Sequence, residues 1–351
     1  MKREAQIAVV GATGVVGREI VSALEVVGHP AEKVTLLASA RSEGEELEYG
    51  GETLPVERAS AESFRGIDLA FFATPADVSR QLAAAAQAAG AWSVDVSPAH
   101  RLDPATPLVL SAVNLGVLEK PFSGRIVSCP SPITAALLCV LEPLQKTFGI
   151  AQVSATALLG ASAQGRRAIA ELEQQTADLL SGRDPERQVF PHRIGFNLIP
   201  QVGEFEGSDG WTSEELAWSR EAARIAPWGA ERSRIAGTAI QVPTFFGHLL
   251  SLEISLRSPA DASQVREALA ASRYVKVLDA PAERVYPMPV LIISDPAVQV
   301  GRVRALPGEG GRFAMVAAVD NARRAAQNAL DVAEALLERP VDNLAAQRRK
   351  T

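Results

Sequence analysis

Residues 6–27 read QIAVVGATGVVGREIVSALEVV, and this stretch decides the fold of the first half of the chain. Gln6 to Val10 is a short β-branched run that predicts a strand, and it leads directly into the turn GATGVVG. From Arg18 to Val27 the apolar residues recur at helical spacing. Strand, glycine turn and helix therefore follow one another, which is typical of the start of a βαβ unit.

The same alternation of strand and helix continues to about residue 130. Further strands are predicted at Val34–Leu37, Leu69–Ala73 and Trp92–Val96, and a helix at Ser79–Ala89. Alternating elements of this kind form a parallel sheet with right-handed crossovers. The sequence thus predicts an α/β fold whose N-terminal part is a doubly wound sheet.

From Ala151 onward the pattern changes. Leu249–Leu256 alternates apolar and polar residues, which favours a sheet with one buried face, as in an α+β domain. The segment from Ser208 to Gly229 is predicted to be rich in loops, and the polar end 342–351 to be frayed. The other elements expected here are strands at 153–159, 236–243 and 313–319 and helices at 166–180 and 321–337.

Between the two halves lies VSCPSPITAALLCVLEPL, residues 127–144. Ser131 is an expected N-cap, and Pro132 suits the first helical position, where its missing N–H would have no partner. We expect this helix to run to about Leu141 and to end at Pro143, because proline disrupts a helix interior.

Composition excludes several classes of protein. With 351 residues, two domains are the default expectation, and a net charge of -6 gives no basic surface for nucleic acid. No apolar run is long enough to cross a membrane. The two cysteines, Cys129 and Cys139, indicate neither a metal site nor a disulfide framework, which favours a cytoplasmic location.

The glycine turn predicts a dinucleotide site. Its glycines allow the backbone to approach a pyrophosphate, and the helix that follows offers unpaired N–H groups. The expected cofactor-binding residues of the turn are Gly11, Thr13, Gly14, Val15 and Val16, with Gly17 as the third glycine.

The segment after the second strand, LLASARSEG, discriminates between cofactors. An NAD-binding protein usually carries an acidic residue here for the ribose hydroxyls, whereas this chain has Ser39, Arg41 and Ser42. Arg41 favours NADP. NAD stays the alternative, because a surface arginine is also common without any ligand.

Several motifs together resemble the aspartate-semialdehyde dehydrogenase family. In sequence order they are GATGVVG, LLASARSEG, FFATPADVS, VDVSPAHR, LSAVN, FNLIPQVGEF, GWTSEE, VPTFFGH and VGRVR. The resemblance implies a Rossmann-type domain, 1–132 with 320–351, that is completed by the C-terminal helix. It also implies a substrate-binding and dimerisation domain at 133–319, and a homodimer. In this family a cysteine thiolate at a helix N-terminus attacks the aldehyde, hydride passes to NADP, and phosphate releases the product.

The resemblance places Pro132 in the position of that cysteine, because Leu141, Pro143 and Leu144 match the downstream family pattern without a gap. Proline is no nucleophile. Cys139 is expected to be a core side chain. Cys129 is expected to be inert as well, with a reactive thiol as the open alternative.

Other family positions are only partly kept. His248 matches the general base, but Gln241 replaces the arginine that binds the substrate carboxylate, and Ala157 replaces a glutamine. Glu214 matches the residue for the substrate amino group, whereas Ala217 replaces the phosphate-binding lysine. The resemblance also assigns Arg101 and Asn114 to the substrate site.

Two hypotheses follow. The first is a paralogue without the catalytic cysteine, which binds NADP and an amino-acid-derived small molecule but lacks ordinary dehydrogenase activity. The second is an active NADP-dependent oxidoreductase for a semialdehyde or another carbonyl compound, which uses direct hydride transfer, with His248 or Thr134 moving protons, or uses Cys129.

Overall fold

The computed structural model describes residues 4–226, 228, 235–293, 295–308 and 311–339. These residues form two compact units, with one boundary after Ser131 and the other after Arg324. The nucleotide-binding unit holds the residues before the first boundary and those after the second, and the central unit holds the segment between them. The end predicted to be frayed, 342–351, lies outside the described residues, as does Gly229.

The bounds of the regular elements are as follows. The strands are β1 (Ile7–Val10), β2 (Val34–Ala38), β3 (Glu46–Tyr49), β4 (Glu52–Arg58), β5 (Leu69–Phe72), β6 (Trp92–Asp95), β7 (Ile126–Ser128), β8 (Ile150–Leu159), β9 (Phe205–Glu206), β10 (Trp211–Thr212), β11 (Ile235–Gln241), β12 (His248–Leu256), β13 (Val275–Val277), β14 (Val298–Ala305) and β15 (Arg312–Val319). The α-helices are α1 (Val15–Val26), α2 (Ala76–Ala89), α3 (Pro132–Phe148), α4 (Arg166–Leu180), α5 (Ser213–Ile225), α6 (Ala262–Ala270) and α7 (Asn321–Glu338).

The nucleotide-binding unit contains a sheet in the order β3-β4-β2-β1-β5-β6-β7. All neighbouring strands pair in parallel except β3 and β4. The six parallel strands follow the order of a Rossmann-type doubly wound sheet, with the topological switch at β1. The predicted fold class is therefore confirmed, and the antiparallel edge strand β3 is an addition that the sequence analysis did not predict.

Helices cover both faces of this sheet. On one face, Ile20 and Leu24 of α1 and Val332 of α7 belong to one buried cluster with the strand residues. On the other face, Leu82 and Ala86 of α2 pack with a second cluster. The C-terminal helix thus completes the nucleotide-binding unit, as the family resemblance implied.

The central unit contains a mixed sheet in the order β11-β8-β12-β15-β14-β13. Side chains of β8, β11 and β12 alternate between buried and more exposed positions along most of each strand, as expected for a sheet with one covered face. Helix α3 contacts β8, β12 and β14, while α5 contacts β11. This arrangement confirms the predicted α+β character. None of the helices in the described ranges is long and apolar enough to span a membrane.

Two predictions about helices were wrong. Helix α3 begins at Pro132 as predicted, but it continues through Pro143 to Phe148. Pro143 removes one backbone hydrogen bond at a cost of about 3 kcal/mol, and burial of Leu141 and Leu144, both without exposed surface, offsets this cost. The helix is instead followed by Gly149, at φ 69°, whose N–H donates to the Gln145 carbonyl at 3.0 Å.

The second wrong prediction was the loop-rich segment from Ser208 to Gly229, because α5 occupies much of it. The Thr212 hydroxyl accepts a hydrogen bond from the Glu215 N–H, and the Glu215 carboxylate accepts one from the Thr212 N–H. This reciprocal capping box starts the helix, and Trp218 and Ile225 anchor its buried face.

Candidate functional site

The glycine turn in the nucleotide-binding unit needs its glycines for steric reasons. Gly11 has φ 87°, and a Cβ at this position would collide with the carbonyl group of Ala73. A Cβ at Gly17 would collide with the Gly11 carbonyl. The Gly11 N–H donates to the Leu37 carbonyl at 2.7 Å, which fixes the turn against β2. Residues other than glycine are therefore excluded at Gly11 and Gly17, beside the first turn of α1.

The start of α1 is open to an anion. Gly14 is the N-cap, and no side chain caps the helix. Consequently the N–H groups of Val15 and Val16, in the first turn, have no partner inside the helix. They carry the partial positive charge of the helix N-terminus, which attracts phosphate. The turn predicted from the sequence thus has both the space and the donors for a dinucleotide phosphate.

The loop after β2 lies beside this turn. The Thr13 hydroxyl donates to the Ser42 hydroxyl at 3.2 Å, and the Ser42 N–H donates to the Ser39 carbonyl at 2.9 Å. Ser39 and Arg41 are exposed. The structure therefore brings the expected cofactor residues Thr13, Ser39, Arg41 and Ser42 to one edge, at the carboxyl ends of β1 and β2. Arg41 thus places an exposed cationic side chain on the loop that follows β2.

Arg101 and Asn114 are engaged with backbone groups of their own unit. Arg101 donates from Nε to the Cys129 carbonyl at 3.0 Å and from Nη2 to the Val96 carbonyl at 2.7 Å. The Asn114 amide donates to the Leu108 carbonyl and accepts from the Leu110 N–H, at 2.9 and 2.8 Å. Both residues hold loops at the carboxyl edge of the sheet, a structural role that the sequence analysis did not assign to them.

Pro132 is the first residue of α3 and is half-buried. Because proline has no thiol, it contributes no nucleophile. Because it has no backbone N–H, the start of the helix has one hydrogen-bond donor fewer. Both cysteines of the chain are buried thiols. Cys129 belongs to the apolar core of the nucleotide-binding unit, and Cys139 lies inside α3. In both environments burial disfavours a reactive thiolate.

In the central unit, Gln241 and His248 lie in one row across the sheet. Leu159 on β8 pairs with Gln241 on β11 and with His248 on β12. Residues that pair directly across neighbouring strands point to the same face, so both polar side chains share the covered face. Ala157, two residues before Leu159, faces the same side and offers only a methyl group.

His248 is neutral at physiological pH. It is 1 % exposed, and burial lowers its pKa to about 4, although the nearby Gly247 carbonyl and Asp320 carboxylate oppose that shift. The Gly160 N–H donates to its Nδ1 at 3.3 Å. This hydrogen bond requires a lone pair on Nδ1 and therefore assigns the proton of the neutral ring to Nε2.

Gln241 is buried as well, with 2 % exposure. Its Nε2 donates to the Leu159 carbonyl at 2.6 Å, and that contact orients the amide. Oε1 is buried with no hydrogen-bond partner in the described residues. At the position where the resemblance predicts an arginine in the family, the side chain is thus neutral, and its one atom without a partner in the described residues, Oε1, is an acceptor. A ligand carboxylate, which is also an acceptor, gains no charge-assisted bond from this amide.

Glu214 lies in the first turn of α5, and its Oε1 accepts from the Trp218 Nε1 at 3.2 Å. The same helix start is tied to β11, because the Ala239 N–H donates to the Glu215 carboxylate at 3.0 Å. Ala217, expected at the position of the family lysine, carries no charge. Of the two family positions expected on α5, Glu214 keeps the carboxylate and Ala217 replaces the ammonium group.

One histidine without a predicted role, His100, pairs with a buried carboxylate. Asp95 ends β6 without exposed surface, and its Oδ2 lies 2.7 Å from Nδ1 of His100. A signal was present in VDVSPAHR, in which an aspartate at a strand end is followed by a serine–proline turn. Such a turn reverses the chain and returns the next side chains towards the strand.

Comparisons with known proteins agree with this architecture. Residues 6–120 match the model of the semialdehyde dehydrogenase NAD binding domain, and residues 141–324 that of the semialdehyde dehydrogenase dimerisation domain. The chain is 33% identical to aspartate-semialdehyde dehydrogenase of Aquifex aeolicus, over 95% of this chain and 98% of that protein.

A USG-1 protein homolog of Azotobacter vinelandii is 35% identical, over 95% and 97% of the two chains. Among solved structures, aspartate semialdehyde dehydrogenase II from Vibrio cholerae, complexed with ASA, superimposes with a TM-score of 0.88 at 30% identity. That match covers 94% of this chain and 97% of the other.

Proposed function

This chain belongs to the aspartate-semialdehyde dehydrogenase family, and we propose that it is an NADP-binding member without the ordinary dehydrogenase activity. The observation that carries this proposal is the start of α3 at Pro132. In the family reaction a thiolate at this position forms a thioester with the substrate. A helix that begins with proline retains the geometry of the site but cannot form that bond.

The other altered positions support the same conclusion. The buried Gln241 amide replaces a guanidinium, Ala157 replaces an amide, and Ala217 replaces an ammonium group. Losing the bidentate arginine weakens carboxylate binding by about 2–3 kcal/mol. His248, at the general-base position, is neutral with Nδ1 engaged by Gly160. Nucleophile and anion-binding groups are therefore altered together, whereas the glycine turn is kept.

NADP is the proposed cofactor, in preference to NAD. The turn at Gly11 and the open start of α1 fit a pyrophosphate, and these features serve either cofactor. Arg41 supports the choice of NADP, because a guanidinium on the loop after β2 can pair with the additional ribose phosphate. A bound dinucleotide would supply hydride chemistry, and the residues of this chain would hold its phosphates and ribose.

The ligand of the central unit is proposed to be a small amino-acid-derived molecule. In this unit Glu214 would meet an amino group, and Gln241 is the other proposed substrate position. Arg101 and Asn114 are the substrate positions that the family resemblance assigns to the nucleotide-binding unit. We further propose a cytoplasmic homodimer assembled through the central unit, 133–319 in the family division, because 141–324 match a dimerisation domain. The Rossmann-type domain would then comprise 1–132 and 320–351.

The second candidate function is carbonyl reduction by direct hydride transfer, which needs no thiol. The pairing of Asp95 with His100 favours it, because it supplies a group that can exchange protons. A route through Cys129 is less favoured, since this side chain is 1 % exposed and packs in an apolar core.

The test combines binding and turnover on the full-length protein. Calorimetry is expected to detect NADP binding that is stronger than NAD binding. With aspartate semialdehyde, NADP and phosphate, no formation of NADPH is expected. Turnover at an ordinary dehydrogenase rate, on the order of 10 per second, would refute the proposal. Loss of such turnover in Cys129→Ser would assign it to that thiol.

A further inference from the structure

The pairing of Asp95 with His100 has the geometry of an acid–base pair. The Asp95 carboxylate is buried, and its Oδ1 accepts from the Ser97 N–H at 2.9 Å. Its Oδ2 lies 2.7 Å from His100 Nδ1. An ionised carboxylate only accepts hydrogen bonds, so Nδ1 carries the proton and Nε2 is the nitrogen that exchanges protons with a ligand.

The surroundings hold His100 in this position. The Ser97 hydroxyl accepts from the Ala99 N–H at 3.1 Å and closes the turn between the two members of the pair. Arg101, the residue after His100, donates hydrogen bonds to the Val96 and Cys129 carbonyls. The Cys129 N–H in turn donates to the Asp95 carbonyl at 2.8 Å. The loop is therefore fixed to the ends of β6 and β7.

The reactive end of His100 is accessible. Its side chain is 13% exposed, and in the described part of the chain no hydrogen bond engages Nε2. His248 differs in each respect, because its side chain is buried and its Nδ1 accepts from the Gly160 N–H. At neutral pH His248 carries no second proton to donate, since burial lowers its pKa to about 4. Of the two rings, His100 is thus the one with an accessible nitrogen for a ligand.

The position of the pair in the sheet indicates what it faces. The glycine turn follows β1 and the Arg41 loop follows β2, whereas Asp95 ends β6 on the other side of the switch point. In a doubly wound sheet a dinucleotide lies across the carboxyl ends at that point. With its ribose phosphate on the β2 side, a bound dinucleotide would have its nicotinamide end on the side of β5 and β6. The pair would then lie on the nicotinamide side.

We propose that Asp95 and His100 form the acid–base pair for reduction of a carbonyl compound by direct hydride transfer. The inference rests on the NADP binding proposed above. After taking a proton from water at Nε2, His100 would donate that proton to the carbonyl oxygen and return to the ring protonated at Nδ1 alone, while a bound reduced dinucleotide would supply the hydride to the carbonyl carbon. The C=O π bond breaks, C–H and O–H bonds form, and the carbonyl compound becomes an alcohol as the dinucleotide is oxidised. Neither thiol nor phosphate takes part.

The first test is spectroscopic. Nitrogen-15 NMR of labelled protein is expected to show the neutral His100 ring protonated at Nδ1, and the signals of this ring are expected to shift when NADP is added. Asp95→Asn is expected to remove the preference for Nδ1. His192, which is exposed in the central unit, is the reference that should not respond. A His100 ring protonated at Nε2, or one that NADP binding leaves unchanged, would overturn the inference.

The second test is kinetic. NADPH oxidation is followed with aspartate semialdehyde, propanal and acetone in the absence of phosphate. His100→Gln is expected to lower kcat by about 10²- to 10⁴-fold, with KM and NADPH affinity within about twofold of the wild type and an unchanged melting temperature. The pH dependence of kcat should be lost in this variant. His192→Gln is the matched control and should react at the wild-type rate.

The outcomes separate the two proposals. NADPH binding without oxidation by any of the three carbonyl compounds overturns the inference and leaves the proposed function intact. The same holds if His100→Gln reduces them as fast as the wild type. Absence of NADP binding in calorimetry overturns both proposals.

Discussion

Helices α1 and α3 start in similar settings but with opposite chemistry. Each follows a strand and a short connection in its part of the chain. Helix α1 begins after Gly14 with N–H groups that have no partner within the helix, whereas α3 begins with Pro132, which has no N–H. Proline fits a first helical position without strain. The comparison shows that the backbone shape of a helix start and the reactive or binding groups it presents have separate sequence requirements. Of these two helices, α1 has both the shape and the N–H donors, whereas α3 has the shape without a donor or a thiol at its first residue.

The surroundings of the two helix starts differ in the same way. Around α1, Arg41 is exposed at the edge of the sheet. In the unit that α3 belongs to, Gln241 and His248 are buried and neutral. The helix start in the nucleotide-binding unit therefore suits an anion, while Gln241 and His248 of the central unit offer no positive charge to one.

The largest expected effect concerns the turn before α1. Gly11→Ala should lower the free energy of unfolding by about 2–4 kcal/mol and abolish NADP binding, because the new Cβ meets the Ala73 carbonyl at a positive φ. Gly14→Ala is the matched control: at φ -73° its Cβ would lie 3.2 Å from the Gly11 carbonyl oxygen, so the fold should persist. Urea unfolding and calorimetry measure both effects. A Gly11→Ala protein as stable as the wild type would contradict this account of the turn.

The next effect concerns the buried histidine of the central unit. Because the pKa of His248 falls from 6.5 to about 4 on folding, its contribution to stability is present above pH 6.5 and is lost as pH falls towards 4. The loss amounts to about 3 kcal/mol. His29, whose pKa burial also lowers, adds to the same trend.

Urea unfolding at several pH values between 7.5 and 4 tests this prediction. His248→Gln should have a clearly smaller dependence on pH in that window, whereas His192→Gln should retain the wild-type dependence. Equal slopes in the two variants would show that His248 does not titrate as a buried neutral group.

A smaller effect is expected for Arg41, on the loop after β2. Arg41→Ala should weaken NADP binding by about 10- to 100-fold, because one charge-assisted contact to the ribose phosphate is lost, and should leave NAD binding unchanged. Arg80→Ala removes an exposed arginine of α2 and is the control. Calorimetric titrations with both cofactors give the answer, and an equal loss for NADP and NAD would remove the argument for NADP.

The smallest effect concerns Asn114. Its side chain bonds the Leu108 carbonyl and the Leu110 N–H, so Asn114→Ala should cost about 1–2 kcal/mol of stability. NADP affinity should stay within about twofold of the wild type. Thermal unfolding with calorimetry checks both quantities. Unchanged stability together with lost ligand binding would favour the substrate role that the family resemblance implies.

Local patterns predicted much of the fold. The strand at Ile7–Val10 and helix α4 were predictable because their signals lie within a few residues: a β-branched run, and a continuous helical spacing. The end of α3 was not, because burial in the central unit outweighs the local effect of Pro143. Helix α5 had a local signal in Thr212 and Glu215, the capping box, which the sequence analysis did not use.

Parts of the candidate site were predictable where the residue type and its place in the order of strands and helices were enough to identify a role. The glycine turn required only the order strand, turn and helix. The pairing of His100 with Asp95 depends on the conformation of the intervening turn, and the engagement of Arg101 depends on Cys129, 28 positions along the chain. The pairing of His100 had a local signal in the serine–proline turn after Asp95. The contact of Arg101 with Cys129 is set by how two strand ends meet in the folded sheet, and no short-range pattern in the sequence specifies it.

The central claim is that this protein keeps the cofactor turn but forms no thioester. Intact-protein mass spectrometry after incubation with aspartate semialdehyde and NADP, without phosphate, tests it most directly, because a thioester would accumulate when nothing releases it. We predict an unmodified mass at NADP concentrations that calorimetry shows to be saturating. A covalent adduct that maps to Cys129, and that is absent from Cys129→Ser, would contradict the claim.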